Sequence, residues 1–442
     1  MILGRANIAT LLTSLSIQGC GIITGVLTAR ILGPTARGEL ATVMLWPMIL
    51  SNLGLMGCNW AVAREIAADP QRESDWVQVA AISGLALACS YLAIGYFLVP
   101  YLLPSDKQHL IGLTRVCLLL IPLDIFNQIL LATEQGRMRW RRYNLLRASF
   151  FAFYAVLICG VWLSRLAEVR WFVWAFLGSH LLAVGIRLAI QWKALMSSRL
   201  HVAGCWRLLR SGIPFFWSTV SNLLTLQLDK VLVVALMPTK AVGLYAAAVT
   251  FGNAHSALGE ALGITSFAVL ANESSTEKQG RILSATFRQA TLTALGLGTV
   301  LACLIPFLVR PMFGTEFSRA VVPAVILTVA ASLNTAGNIL NQGLKGVGQP
   351  YAGVVSQFLG NGILAILALV LSPRLGLMGI AWAVVASVCC QVLLLVVAAS
   401  AILGISSICF WPLHPKDLRV FYQQLAALRA KAFAFSGPGA CE

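Results

Sequence analysis

The polar residues that could do chemistry in this sequence lie inside apolar segments, where each costs free energy unless it faces a packed bundle or water. In the segment 212–237, Asn222, Thr225 and Asp229 follow Ser218 at positions i+4, i+7 and i+11. That spacing places all four side chains on one face of a helix. Hydroxyl, amide and carboxylate groups in such a row can hydrogen-bond a polar ligand without any covalent chemistry.

Three further segments carry polar rows, and the four rows match in two pairs. Gln18 lies 204 residues before Asn222, and the row through Asn334 and Asn338 has its counterpart 210 residues earlier. The rows are Ser14, Gln18, Gly21 and Gly25; Asn334, Asn338, Asn341 and Lys345; and Asp124, Gln128, Leu131 and Gln135. Interhelical hydrogen bonds worth ~0.6 kcal/mol each would explain single residues of this kind. Matching rows on four helices favour a central polar cavity instead.

Charged residues are rarer in these segments, and each has a structural explanation beside the functional one. Pairing between helices explains a buried charge, and anchoring at the membrane surface explains a cation near a segment end. The set comprises Asp124, Arg187, Asp229, Lys230 and Glu260 within segments, and Arg30, Arg37 and Arg64 near segment ends.

No catalytic or metal site is predicted. Ser, His and carboxylate residues do not cluster at triad-like spacings, and the 11 cysteines include no CxxC or Cys/His cluster. His255 near Glu260 could relay protons, but a packed neutral histidine is the better explanation. We therefore expect a chain that is not an enzyme and that needs no cofactor.

The composition identifies the elements that position these residues. Of 442 residues, 58% are hydrophobic and only 11% are charged, with a mean hydropathy of +0.82. Soluble domains carry roughly a quarter charged residues. About twelve windows reach the roughly 20 apolar residues of a transmembrane helix. They lie at about 8–32, 39–63, 77–103, 111–134, 145–164, 171–192, 212–237, 241–270, 284–310, 320–344, 352–372 and 377–404. The prediction is an all-α integral membrane protein.

The net charge of +16 is distributed in a way that indicates topology rather than nucleic-acid binding. If both termini are cytoplasmic, Lys and Arg are about twice as frequent in the inner connections as in the outer ones. We therefore predict a multi-pass protein with both termini in the cytoplasm and no nucleic-acid partner.

The two halves of the chain repeat. Leu32-Gly33-Pro34-Thr35 matches Leu236-Met237-Pro238-Thr239, and Gly38 and Gly243 follow at similar distances. Gln128-Ile129-Leu130 with Gly136 matches Asn338-Ile339-Leu340 with Gly346 at an offset of 210. We predict six-helix lobes at 1–204 and 205–404, related by a pseudo-twofold axis along the membrane normal, and a basic, partly disordered cytoplasmic tail at 405–442.

Two motifs resemble those of a known family. The segment ARILGP at 29–34 with RGELA at 37–41 is similar to the first-loop motif of bacterial polysaccharide flippases. The segment QLDKVL at 227–232 with VGLYA at 242–246 is similar to the matching motif of their second half. Over about 5–404 the chain thus resembles the oligosaccharide flippase (polysaccharide transporter) family, O-antigen flippase type, of the multidrug/oligosaccharidyl-lipid/polysaccharide (MOP) exporter superfamily. One departure is Met237-Pro238, where many members carry glycine before the loop.

The resemblance implies a V-shaped fold in the bacterial inner membrane that flips undecaprenyl-pyrophosphate-linked oligosaccharide by alternating access, for O-antigen, capsule or exopolysaccharide export. Membrane lipids, a polysaccharide polymerase and glycosyltransferases are the expected partners. The cationic candidates for pyrophosphate contact are Lys230, Arg30 and Arg64. The candidates for sugar contact are Asn222, Gln18, Asn334 and Asn338, and those for coupling to a proton or sodium gradient are Asp229, Asp124 and Glu260.

Two other classes compete with this prediction. A drug/cation antiporter of the same superfamily would share the fold and the carboxylates. A polytopic polysaccharide polymerase or ligase would need a sizeable outer loop, whereas the predicted outer loops have about ten residues or fewer. The paired motifs and the cationic candidates favour an anionic lipid as cargo.

Overall fold

The structure is a computed structural model that describes residues 5–196, 202–253, 263, 266, 269–270 and 273–411. The helices within these residues are α1 Arg5–Gly54, α2 Cys58–Ala68, α3 Glu73–Leu102, α4 Ile111–Cys117, α5 Leu120–Gly136, α6 Trp140–Leu163, α7 Val169–Met196, α8 Val202–Leu236, α9 Thr239–Asn253, α10 Thr276–Phe313, α11 Val321–Gly346, α12 Tyr351–Leu375 and α13 Leu377–Leu403. Single turns of 3₁₀ helix lie at Pro70–Arg72, Ser105–Leu110, Thr315–Ala320 and Ser407–Phe410.

The apolar helices confirm the prediction of an all-α integral membrane protein. Within the described residues, nine helical stretches are long and apolar enough to cross a membrane, or ten if the pair Ser105–Cys117 and Leu120–Gly136, bent by 43°, forms one span. The number is lower than the twelve predicted windows for two reasons. The first two windows are joined in one helix, α1, and the eighth, 241–270, falls partly outside the described residues.

Helix α1 is too long to be one straight span. Its 50 residues would extend about 75 Å, more than twice the roughly 30 Å hydrocarbon core of a bilayer. Gly33 interrupts it with φ 69° and ψ 176°, a conformation that a side chain would disfavour. Pro34 follows and cannot continue the hydrogen-bond ladder. The chain therefore turns at Gly33 and begins a second helical segment, as the separate windows 8–32 and 39–63 predict.

The chain divides into two compact units. Unit 1 comprises Met1–Phe251, Ile305–Val325 and Asn361–Ala383, and unit 2 comprises Gly252–Leu304, Ile326–Gly360 and Val384–Glu442. The cores of both units are mainly aliphatic, as the hydrophobic composition requires.

Unit 1 has two apolar clusters. One lies among α1, α4, α5, α6 and α7 and includes Leu40, Leu120 and Phe172. The other joins the end of α1 to α2, α3, α5 and α8, and it includes Ile66, Ile125 and Leu208. In unit 2 a single described cluster joins α10, α11 and α13, with members Phe287, Leu340, Leu395, Leu403 and Phe410.

Candidate functional site

The two segments that carry the loop motifs contact each other inside unit 1. A Cβ atom on Gly38 would overlap the carbonyl oxygen of Thr239, and one on Gly243 would overlap the carbonyl oxygen of Pro34. The obstacle is backbone in both cases, so no side-chain rotation can relieve the overlap. We call this reciprocal approach of Pro34–Gly38 and Thr239–Gly243 the motif contact, and the end of the helices where it lies the motif end.

Lys107 holds the end of α8 next to the motif contact. Its side chain is only 1% exposed, and its Nζ donates to the carbonyl oxygens of Val234 at 2.9 Å and Met237 at 2.8 Å. Asp106 lies 3.1 Å from the same nitrogen. The last carbonyls of a helix have no intrahelical donor, and a cation there is favourable. The sequence places Lys107 only in an outer connection and gives no signal of its burial.

Arg30 holds a second helix end in a similar way. Its Nε donates to the carbonyl oxygen of Met312 at 2.8 Å, and its Nη2 donates to that of Pro311. Both carbonyls belong to the last turn of α10. Arg30 is predicted to contact pyrophosphate, but its guanidinium binds backbone carbonyls in the structure. The side chain is nevertheless exposed.

Asp229 and Lys230 are directed to different partners. The hydroxyl of Tyr245, which is 2% exposed, donates to Asp229 Oδ2 at 2.7 Å. The Nζ of Lys230 donates to the Leu226 carbonyl oxygen at 2.7 Å and to Gln227 Oε1 at 3.1 Å. Asp229 therefore ties α8 to α9, whereas Lys230 bonds only to its own helix in these contacts and can turn to a ligand without disturbing another element.

The polar row of α8 changes along the helix from open to packed. Ser218 and Asn222 are exposed, whereas Thr225 accepts a 3.1 Å hydrogen bond from Asn361 Nδ2. Exposed amide and hydroxyl groups midway along an apolar helix are not suited to lipid. This half of the row fits a wet surface, and the half toward the motif end serves packing.

The other predicted contacts lie on several elements. Gln18 is partly buried on α1, and Arg64 is exposed on α2. In unit 2, α11 exposes Asn334 and partly buries Asn338. Glu260 and His255 lie outside the described residues.

Asp124 is a member of a buried polar group in unit 1. Its Oδ2 accepts hydrogen bonds from Ser51 Oγ at 2.7 Å and from Gln128 Nε2 at 2.9 Å. The Nε2 of His180 lies 3.9 Å from its Oδ1. Arg187, on the same helix as His180, is 2% exposed and donates to the backbone of α5 and α6. Helices α1, α5 and α7 therefore meet at the carboxylate of Asp124.

A second charged group was not predicted from the sequence. Glu134 is fully buried, and its Oε1 accepts from Arg137 Nη1 at 2.6 Å and from Gln191 Nε2 at 3.3 Å. Arg137 also pairs with Glu73 at 2.5 Å, and Arg142 Nε lies 3.6 Å from Glu134 Oε2. These contacts join α3, α5, α6 and α7. Arg137 and Arg142 thus have partners inside the protein, in addition to their share in the charge bias that predicts topology.

Replacing Glu134 with glutamine is expected to lower the free energy of unfolding by about 3 kcal/mol, because it leaves a buried guanidinium without one of its two carboxylates. Unfolding in detergent with increasing dodecyl sulfate would measure this. The control is Glu277→Gln, which breaks a pair whose side chains are 71% and 76% exposed and should change stability by less than about 1 kcal/mol. Equal effects of the two variants would contradict the assignment of Glu134 as a structural link.

Among the described residues, no group of three or more His, Cys, Asp or Glu side chains could hold a metal ion. The polar groups that are accessible offer hydrogen bonds and single charges, on α1, α2, α8 and α11. Within each unit, such side chains can hydrogen-bond a polar or anionic molecule.

The apolar helices and the polar rows within them define a multi-pass membrane protein. The search of curated proteins found no match. Residues 3–259 match the family described as "Polysaccharide biosynthesis protein". Because this match covers more than half of the sequence, the chain belongs to that family.

Solved structures share the fold. "Lipid II flippase MurJ, inward closed conformation" superposes with a TM-score of 0.73 at 12% identity, over 88% of this chain and 87% of that one. An inward-facing multidrug resistance MATE family transporter of the MOP superfamily gives 0.66 at 16% identity, over 92% and 98%. Its outward-facing conformation gives 0.63 at 16% identity, over 91% and 96%. The MOP-type fold predicted from the motifs is thereby confirmed.

Proposed function

We propose that this chain is a flippase that moves undecaprenyl-pyrophosphate-linked oligosaccharide from the cytoplasmic to the periplasmic leaflet, for surface polysaccharide export. The observation that carries the proposal is the motif contact. It joins two segments that resemble the paired loop motifs of polysaccharide flippases, in a member of the polysaccharide biosynthesis protein family. A transport cycle needs one end of the pathway closed, and a backbone-to-backbone contact supplies such a closure.

The proposed orientation follows from the charge bias. Both termini would be cytoplasmic in the bacterial inner membrane, which puts the motif end in the periplasm. Cargo would then enter from the cytoplasmic side and leave when Pro34–Gly38 and Thr239–Gly243 separate. The chain would act as a transporter rather than an enzyme. Its cargo would come from glycosyltransferases on one side and pass to a polymerase on the other.

Different side chains would bind the sugar part and the pyrophosphate part of the cargo. Hydroxyl groups of the sugars suit the exposed face of α8 with Asn222, and Gln18, Asn334 and Asn338 are the other amide candidates. Lys230 and Arg64 would neutralise pyrophosphate through charge-assisted hydrogen bonds. Arg30 would reach the cargo only after releasing the end of α10. Asp229, Asp124 and Glu260 remain the candidates for coupling to a proton or sodium gradient.

Lys230→Gln is expected to slow flipping roughly 10- to 100-fold, because a hydrogen bond to a charged group contributes about 1.5–3 kcal/mol. The measurement is the rate at which a fluorescent undecaprenyl-pyrophosphate disaccharide in proteoliposomes becomes accessible to an impermeant quencher. In cells, the same variant should reach the membrane and fail to display polysaccharide. Lys193→Gln, at an exposed lysine of α7, serves as the control, and normal polysaccharide display by Lys230→Gln would refute the role.

The same proteoliposomes test the competing functions. Extrusion of cationic dyes without movement of the fluorescent lipid would favour the drug/cation antiporter, whose fold is similar. Elongation of glycan by the protein in detergent, with no bilayer to cross, would favour a polymerase or ligase. Flipping of the pyrophosphate lipid without either activity supports the proposal.

A further inference from the structure

Asp124 and His180 face each other across a short gap inside unit 1. The His180 ring is 5% exposed and packs against the rings of Phe150 and Phe176, with centroids 4.1 and 4.7 Å away. The Asp124 side chain is 17% exposed. The contacts of the pair come from helices α1, α5, α6 and α7.

The hydrogen bond of the other ring nitrogen fixes which atoms face each other. His180 Nδ1 lies 3.0 Å from the carbonyl oxygen of Phe176, which can only accept. Nδ1 of the neutral ring therefore carries the proton, and Nε2 presents a lone pair. That lone pair faces Asp124 Oδ1 at 3.9 Å. Two acceptors thus oppose each other beyond hydrogen-bond distance, and a proton bound at either atom would let them approach and form one hydrogen bond.

The surroundings favour a proton over a metal cation at this place. The groups that reach Asp124 from α1 and α5 are the donors Ser51 and Gln128. A sodium ion would require Ser51 and Gln128 to turn their oxygen atoms toward it, whereas both direct hydrogen atoms at the carboxylate here. Arg187 is the nearby fixed positive charge, and Tyr143 of α6 interacts with it. The charged and titratable groups around the pair thus include Arg187 and Tyr143, and Tyr154 packs against the same Phe150 and Phe176 rings as His180.

We infer that Asp124 and His180 form a proton-binding dyad, which takes up one proton from water as an N–H bond at Nε2 or an O–H bond at Oδ1 and later returns it to water. The dyad as a site stands on this geometry. Its role as the coupling site rests on the proposed transport function.

Proton binding by the dyad would weaken a hydrogen bond that connects α1 to Asp124. Protonation withdraws negative charge from the carboxylate and weakens its charge-assisted hydrogen bonds. One of these comes from Ser51, on the segment of α1 that follows Gly33, and the same segment carries Gly38 of the motif contact. The helix that closes the motif end is therefore also the helix that senses the proton.

The dyad can be tested without any cargo. Infrared spectra of the full-length protein in proteoliposomes, recorded as differences between pH values, should contain one titration step with both carboxyl and imidazole bands. Asp124→Asn and His180→Gln should each abolish that step, and the double variant should lose nothing more, because the titration belongs to the pair. Asp229→Asn is the matched intramembrane carboxylate and should keep the step. Ser51→Ala, which removes neither member, should keep it too.

Each outcome decides a separate point. A step that survives His180→Gln would overturn the dyad, and a step that moves when NaCl replaces KCl would assign the site to sodium. With the fluorescent pyrophosphate lipid, both dyad variants should lose the acceleration of flipping by an imposed pH gradient. A wild-type protein that shows the step but flips without response to pH would overturn the coupling role alone. A protein that shows the step and flips no lipid would overturn the proposed function and leave the dyad in place.

Discussion

Alanine at Gly38 or Gly243 is expected to reduce flipping by about tenfold or more, while the helices remain folded. The added Cβ meets a backbone carbonyl oxygen, that of Thr239 or Pro34, so the two segments must separate. Overpacking of this kind costs about 1–3 kcal/mol. A cost of that size applies only when the motif end is closed, so it shifts the protein toward the open state instead of unfolding it.

Matched glycines of the same chain provide the control. A Cβ atom added to Gly112 or Gly160 would have no neighbouring atom within 4 Å, and alanine there should leave flipping unchanged. Hydrogen exchange of the peptides around Gly38 and Gly243 should rise in the motif variants and not in the controls. The double variant Gly38→Ala with Gly243→Ala should be little worse than either single one, because both substitutions disrupt the same contact. Unchanged flipping in both single variants would contradict a gate at this position.

The sequence predicts the helices well because membrane spans depend on local composition. A run of apolar residues must be helical in lipid, since its backbone groups have no other partners. The break at Gly33-Pro34 is equally local, and the two windows on either side of it predict two segments. The sequence also marks Gly38 and Gly243 as equivalent positions. Their mutual contact is not predictable from spacing, because it depends on how segments 205 residues apart come together.

The roles of the charged residues are harder to predict, since they depend on tertiary contacts. Arg30 and Met312 are 282 positions apart, and Lys107 and Met237 are 130 apart. In the sequence both cations lie at segment ends and resemble surface anchors. Glu134 lies near the end of α5, but its partners come from α6, from α7 and from Arg137, which follows α5. His180 becomes notable only when Asp124 is placed opposite its unprotonated nitrogen.

Lys107 stabilises the chain where α8 ends at Met237-Pro238. Within a helix the carbonyl of Val234 would accept from the N–H of residue 238, and proline has none. The carbonyls of Val234 and Met237 instead accept from Lys107 Nζ, and Thr239 of the motif contact follows directly. The lysine therefore supplies the donor that Pro238 removes, at the point where α8 ends and the second motif segment begins.

Lys107→Met is accordingly expected to lower the free energy of unfolding by about 2 kcal/mol, because methionine keeps the apolar stem but leaves two buried carbonyls without a donor. Dodecyl sulfate titration in detergent measures the loss. Flipping should fall as well, since a loosened end of α8 no longer holds Thr239 against Gly38, and hydrogen exchange around Gly243 should rise. The control is Lys240→Met, at an exposed lysine just beyond the end of α8. It should change neither the stability nor the rate of flipping. If Lys107→Met matched Lys240→Met in stability and flipping, the buried lysine would not be what secures α8 beside the motif contact.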